Sequence, residues 1–128
     1  MKKLSLDTNA YSALITGNEI VLNALGEANE VYLSIFVIGE LYYGFSNGTK
    51  EKKNREILNN FLKKTTVKII HTTMETAEIY GRLKTNLKIK GAPVPVNDLW
   101  IASHAIETGS FLLTFDVHFK TIPEVLLY

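Results

Sequence analysis

Leu4-Ser-Leu6-Asp7-Thr8-Asn9 decides how the rest of the chain is read. A short apolar run ends abruptly on three residues that favour helix N-termini, so it predicts a first strand passing into a helix, with Asp7 at the strand's carboxyl end. The same grammar recurs downstream. Val31-Tyr-Leu33 predicts a second strand before Ser34, a helix cap. Val67 to Ile70 is a β-branched strand before Thr73, and Phe111 to Thr114 is a strand that stops at Phe115-Asp116. Val125-Leu-Leu127 supplies a short last strand.

Between these runs lie helical patterns: Glu19 to Ala28, Ile35 to Phe45, Glu51 to Leu62, Met74 to about Lys88 closed by Gly91, and Asn97 to about Thr108 closed by Gly109. Strands alternating with helices of ten or so residues imply βαβ crossovers. The expected class is therefore α/β, a three-layer fold with a mostly parallel sheet of about five strands flanked by helices. In such sheets ligands bind beyond the carboxyl ends of the strands, which is where Asp7 and Asp116 fall.

Composition sets the outer bounds. Residues 1–128 form one expected domain, 46% hydrophobic and 21% charged, without a linker-like stretch or a repeat. The chain has no cysteine, which excludes a disulfide framework and a thiolate zinc site. The start Met1-Lys-Lys-Leu-Ser-Leu-Asp7 is too polar for a signal peptide, and Val31 to Phe45 is interrupted by Glu40 and too short to span a bilayer. A cytoplasmic protein that does not enter the membrane is the expectation. Fourteen Lys and Arg against thirteen Asp and Glu give a net charge of +1, so bulk charge does not announce a nucleic-acid binder. The basic runs Lys50 to Arg55, Lys63-Lys64 and Arg82 to Lys90 read as solvated helix faces.

Four carboxylates stand out, each on a strongly apolar segment. Glu40 lies in Phe36-Val-Ile-Gly-Glu40-Leu-Tyr-Tyr-Gly44, a helix expected to be buried around nearly its whole circumference. A carboxylate there pairs with a cation, sits protonated as a hydrogen-bond donor, or binds a metal. Asp7 and Asp98 each suit a helix N-terminus, and Asp116 suits a turn. What the individual readings leave unexplained is the convergence: one fold draws acids from four separated segments toward one sheet end. All-oxygen ligation suits octahedral Mg²⁺ or Mn²⁺ better than zinc, and such an ion can activate water against a phosphodiester. Asn9, Asn97 and Thr114 add polar groups beside the acids. His71 and His104 are weaker candidates, and His118, two residues after Asp116, reads first as a local structural residue that could instead contact a phosphate, while Trp100, Tyr42, Tyr43 and Phe45 read as core packing.

Leu6-Asp-Thr-Asn9, Ser34 through Glu40 to Gly44, Asn97-Asp-Leu-Trp-Ile-Ala102 and Thr114-Phe-Asp116-Val-His-Phe119 resemble, in order, the motifs of PIN-domain ribonucleases. The likeness is greatest to the VapC toxins of type II toxin–antitoxin pairs, and it spans nearly the whole chain. Asp7, Glu40, Asp98 and Asp116 match that family's acidic metal-binding set, with Thr114 and Asn9 at neighbouring polar positions. Ser103 stands where many relatives have alanine, and little chain follows the last strand.

The resemblance implies endoribonuclease cleavage of RNA by a metal-activated water, leaving a 5′-phosphate and a 3′-hydroxyl. It also implies a homodimer and neutralisation by a VapB-like antitoxin. Rival readings are a housekeeping RNA-processing nuclease, a catalytically idle PIN-like binding module, and a receiver-type α/β domain. The last usually pairs two acids early in the chain, whereas Asp7 has no acidic neighbour before Glu19.

Overall fold

β1, Lys3–Leu6, becomes the central strand because its apolar residues find partners on both sides, as the computed structural model of residues 1–128 shows. It pairs in parallel with β2 (Glu30–Ser34) in the register Leu4↔Val31 and Leu6↔Leu33, and with β4 (Phe111–Leu113) in the register Leu6↔Leu113. β3 (Val67–Ile70) adds beyond β2 and β5 (Leu126–Leu127) beyond β4, giving the order β3-β2-β1-β4-β5 with every pair parallel. Parallel neighbours need long crossovers, and helices supply them. Leu4, Ser5 and Leu6 are all buried although successive side chains point to opposite faces, so the sheet is covered on both sides.

Six helices do the covering: α1 (Thr8–Ile15), α2 (Glu19–Glu27), α3 (Ile35–Ser46), α4 (Glu51–Leu62), α5 (Met74–Lys90) and α6 (Val96–Thr108). Asp7, Asn18, Ser34 and Thr73 cap the first, second, third and fifth of them through side-chain oxygens. Gly91 and Gly109, at φ +67° and +66°, end α5 and α6 in the left-handed conformation that glycine adopts without strain. A 3₁₀ turn, Val117–Thr121, follows β4 and buries Phe119 completely. The sequence offered no periodicity there, because the segment is held by one anchor and not by a repeating face.

Two expectations need correction. α3 is not buried all round: Val37, Ile38 and Leu41 face the core, whereas Ile35, Gly39 and Gly44 are exposed and Tyr43 is 73% exposed. A helix that packs by one stripe must present its other side outward, however apolar its residues. Tyr43 is accordingly not a core residue, and Tyr42 lies under Arg55, whose guanidinium carbon is 4.0 Å from the ring centroid. Trp100 does pack, stacking on Tyr80 at 3.9 Å and on Phe36 at 5.4 Å between centroids, which ties α6 to α5 and α3. The basic runs are exposed, and no helix is long and apolar enough to cross a membrane.

Candidate active site

The strand order places a break in winding direction at β1. The chain steps outward from β1 to β2 and β3, then returns to the other side of β1 as β4. Beyond the carboxyl ends of β1 and β4 the connections therefore diverge and leave a crevice. Asp7 follows β1 directly, and its backbone N–H donates to Leu113 O at the end of β4, 3.4 Å away.

Asp7 is only 5% exposed and both of its oxygens are engaged. Oδ1 accepts from the Ala10 N–H at 2.8 Å, capping α1, and Oδ2 accepts from the Thr114 hydroxyl. One oxygen thus caps the helix and the other ties Asp7 to the residue after β4. Thr114 Oγ1 in turn accepts from the Asp116 N–H at 2.9 Å. Asp116 Oδ1 accepts from the His118 N–H at 2.9 Å and lies 3.0 Å from His118 Nδ1, which is 3.6 Å from Asp98 Oδ2. Asp98 reaches the crevice from the first turn of α6. Glu40, half-buried on α3, accepts from the Thr8 hydroxyl at 2.5 Å.

The four acids influence one another's charge, although Asp7 and Glu40 lie outside the tight group in which Asp98, Asp116 and His118 bring their ligand atoms within 4.8 Å of one another. Burial pushes the Asp7 carboxyl above its ordinary value; the hydrogen bonds from Thr114 and Ala10 oppose this, and the charges of Asp116 and Glu40 add to it. Asp98 is likewise raised, first by burial and then by Asp116 and Glu40, with His118 opposing and Asp7 adding. No lysine or arginine pairs with any of the four: the ion pairs in the chain are Lys2–Glu27, Lys68–Glu30 and the two made by His118.

Asn9 and Asn97 are exposed beside the cluster, with no hydrogen bond from either amide to an acid. Thr114 is a direct partner of Asp7. One contributor, Thr8, was not legible in the sequence as a site residue, and another, His118, was read there as a local residue able to contact a phosphate. Thr8 fixes Glu40, and His118 enters the acid pair. The signals were thin: a hydroxyl adjoining Asp7, and a ring two residues after Asp116. His104 is instead a buried tie between elements, 2.8 Å from Ser34 Oγ and 3.3 Å from Thr72 Oγ1; His71 is exposed. Ser103 is fully buried and its hydroxyl donates to Leu99 O within α6, so the departure from alanine is absorbed locally.

Asp98, Asp116 and His118 can place one ligand atom each within 4.8 Å of one another. Carboxylates without a balancing lysine or arginine, in a crevice that holds some of them above their ordinary pKa, form a donor set that fits a hard divalent cation.

Residues 4–125 match the PIN domain family. A Rickettsia felis protein named Ribonuclease VapC2 is 37% identical over 107 residues, covering 83% of this chain and 78% of its own. Ribonuclease VapC2 of Haemophilus influenzae (strain Rd) is 29% identical over 116 residues, covering 89% of this chain and 86% of its own. Among solved structures, that of VapBC2 from Rickettsia felis bound to a promoter DNA fragment superposes with a TM-score of 0.84 at 34% identity, over 98% of this chain and 97% of the other. The DNA-bound VapBC from Salmonella typhimurium gives 0.84 at 25% identity, over 100% of this chain and 98% of the other. Fold, motif order and these similarities agree, and the chain belongs to the PIN-domain family, among relatives named ribonuclease VapC.

Proposed function

We propose that this protein is a Mg²⁺- or Mn²⁺-dependent endoribonuclease, a single PIN domain acting in the cytoplasm as the toxin of a type II toxin–antitoxin pair. The observation that carries the reading is the gathering of Asp7, Glu40, Asp98 and Asp116 at the β1/β4 crevice with no lysine or arginine paired to them. The names of its relatives supply the substrate class, RNA, and the solved VapBC complexes supply the partner class, a VapB-like antitoxin. A homodimer is part of the same proposal.

A divalent cation held by these acids would supply positive charge to the phosphodiester and lower the pKa of a bound water. The chain's own residues prepare the place for it. Thr114 and the Ala10 amide hold Asp7 in one orientation, and Thr8 holds Glu40, so neither carboxylate has to reorganise when substrate arrives. Asp98 and Asp116 are supplied by the first turn of α6 and by the segment after β4, with His118 against both. Hydrolysis adds the water oxygen to phosphorus and breaks the bond to the 3′-oxygen, leaving a 5′-phosphate and a 3′-hydroxyl. Asn9 and Asn97, exposed and close in sequence to Asp7 and Asp98, would offer amides to the RNA backbone.

Growth decides the toxin reading. Expression of the chain alone slows bacterial growth, Asp116→Asn abolishes the defect, and co-expression with an antitoxin encoded beside it restores growth through a complex that co-purifies. A harmless active chain that no neighbouring gene product binds would favour the housekeeping nuclease.

A further inference from the structure

The geometry points to His118 as a nitrogen ligand of the divalent ion between Asp98 and Asp116, completing a mixed oxygen and nitrogen site. The inference rests on the metal-dependent reading above and asks more of it, because that reading needed only carboxylates.

Three observations support it. Adjacent ligand atoms on an octahedral ion with bonds of about 2.1 Å lie roughly 3.0 Å apart. His118 Nδ1 and Asp116 Oδ1 are separated by 3.0 Å, Asp98 Oδ2 is 3.6 Å from the same nitrogen, and one ligand atom from each of the three lies within 4.8 Å of the others. The ring is half open to solvent, but the segment that carries it is held in place. The backbone N–H of His118 donates to Asp116 Oδ1, folding the two side chains to the same side of the 3₁₀ turn, and the next residue, Phe119, is 0% exposed and anchors that turn in the core. Finally, no lysine or arginine lies within ion-pair distance of Asp98 or Asp116, whereas His118 lies within it of both.

The competing arrangement is an ion pair in which the imidazole only balances the two acids and leaves when a cation enters. The two differ in consequence. A nitrogen ligand favours Mn²⁺ over Mg²⁺, since imidazole suits the later ions of the series and Mg²⁺ prefers oxygen. A departing counter-ion confers no such preference.

The test uses the full-length protein, folded and stripped of metal, with Mn²⁺ as the probe. Pulsed electron paramagnetic resonance on wild-type and His118→Gln proteins, with ¹⁵N-histidine labelling, reads nitrogen coupling at the manganese, and calorimetric titration reads Mn²⁺ and Mg²⁺ affinity. The expected result is a histidine coupling in the wild type that is lost in His118→Gln, with the Mn²⁺ over Mg²⁺ preference falling roughly tenfold. Bound Mn²⁺ without nitrogen coupling, or a coupling that survives in His118→Gln, overturns the assignment of His118 and leaves the metal-dependent reading standing. Failure of the wild type to bind Mn²⁺ at all overturns both.

Discussion

The hydroxyl of Thr114 donates to Oδ2 of Asp7, joining the residue after β4 to the residue after β1 across the crevice. This one contact orients the most buried acid of the cluster, and through Thr114 Oγ1 it also fixes the backbone of Asp116. Thr114→Val keeps the shape and removes both functions. It should lower kcat/KM for RNA by roughly 10–100-fold, the scale seen when residues supporting metal ligands are lost. The cost in stability should be about 1–2 kcal/mol, because a buried carboxylate loses a donor. Steady-state kinetics and urea unfolding measure the two. Unchanged kinetics in a folded Thr114→Val protein would mean that Asp7 needs no such orientation.

The pH dependence follows from the two raised carboxyls. In the native chain Asp7 and Asp98 hold their protons above the ordinary value of 3.8, whereas in the unfolded chain they do not. From that value upward the native state binds more protons than the unfolded state. These two groups therefore lower stability as pH rises through the window and leave it lower above it. Asp98→Asn removes one of them. In the absence of metal it should be more stable than wild type at neutral pH by about 1 kcal/mol, the scale of one charge relieved in a partly exposed cluster. The advantage should shrink as the pH falls toward 3.8, and millimolar Mn²⁺ should reverse it by binding the native wild type. Thermal melts across pH, with and without metal, read this directly; an Asp98→Asn protein less stable than wild type at pH 7 without metal would contradict it.

Much of this was legible because the informative residues sit at punctuation. Asp7, Ser34, Thr73, Gly91 and Gly109 mark the ends of elements, and local backbone chemistry is what a sequence records best. Strand–helix alternation then implied the parallel sheet, and with it the sheet end where the acids meet. What stayed hidden depends on tertiary placement. Glu40 takes its hydrogen bond from Thr8, which is 32 positions away in sequence. His118 meets Asp98 only because the 3₁₀ turn after β4 packs near the start of α6, 20 positions earlier in the chain. The outward face of α3 was misjudged for the same reason: residue type tells how apolar a helix is, but not which side has a neighbour.

Trp100 tests whether the aromatic stack serves packing or substrate. Its indole is occupied by Tyr80 and Phe36, the nearer of them at 3.9 Å between centroids. Trp100→Leu should destabilise the fold by about 1–3 kcal/mol through the loss of two aromatic pairs. The KM for RNA should stay within about twofold of wild type. A KM rising tenfold in a folded Trp100→Leu protein would instead make the stack part of the RNA-binding surface.

In the proposed function, Asp7, Glu40, Asp98 and Asp116 act on RNA as one metal-dependent unit. The most direct measurement is single-turnover cleavage of an end-labelled RNA by the purified chain in Mn²⁺, in excess chelator, and after Asp7→Asn, Glu40→Gln, Asp98→Asn or Asp116→Asn. The expected result is cleavage in Mn²⁺ leaving 5′-phosphate ends, none in chelator, and a loss of at least about 100-fold for each variant. Double variants should be hardly worse than single ones, since residues that work as a unit are not additive. Cleavage that persists in chelator, or a folded Asp98→Asn protein that cuts RNA at the wild-type rate, would contradict it.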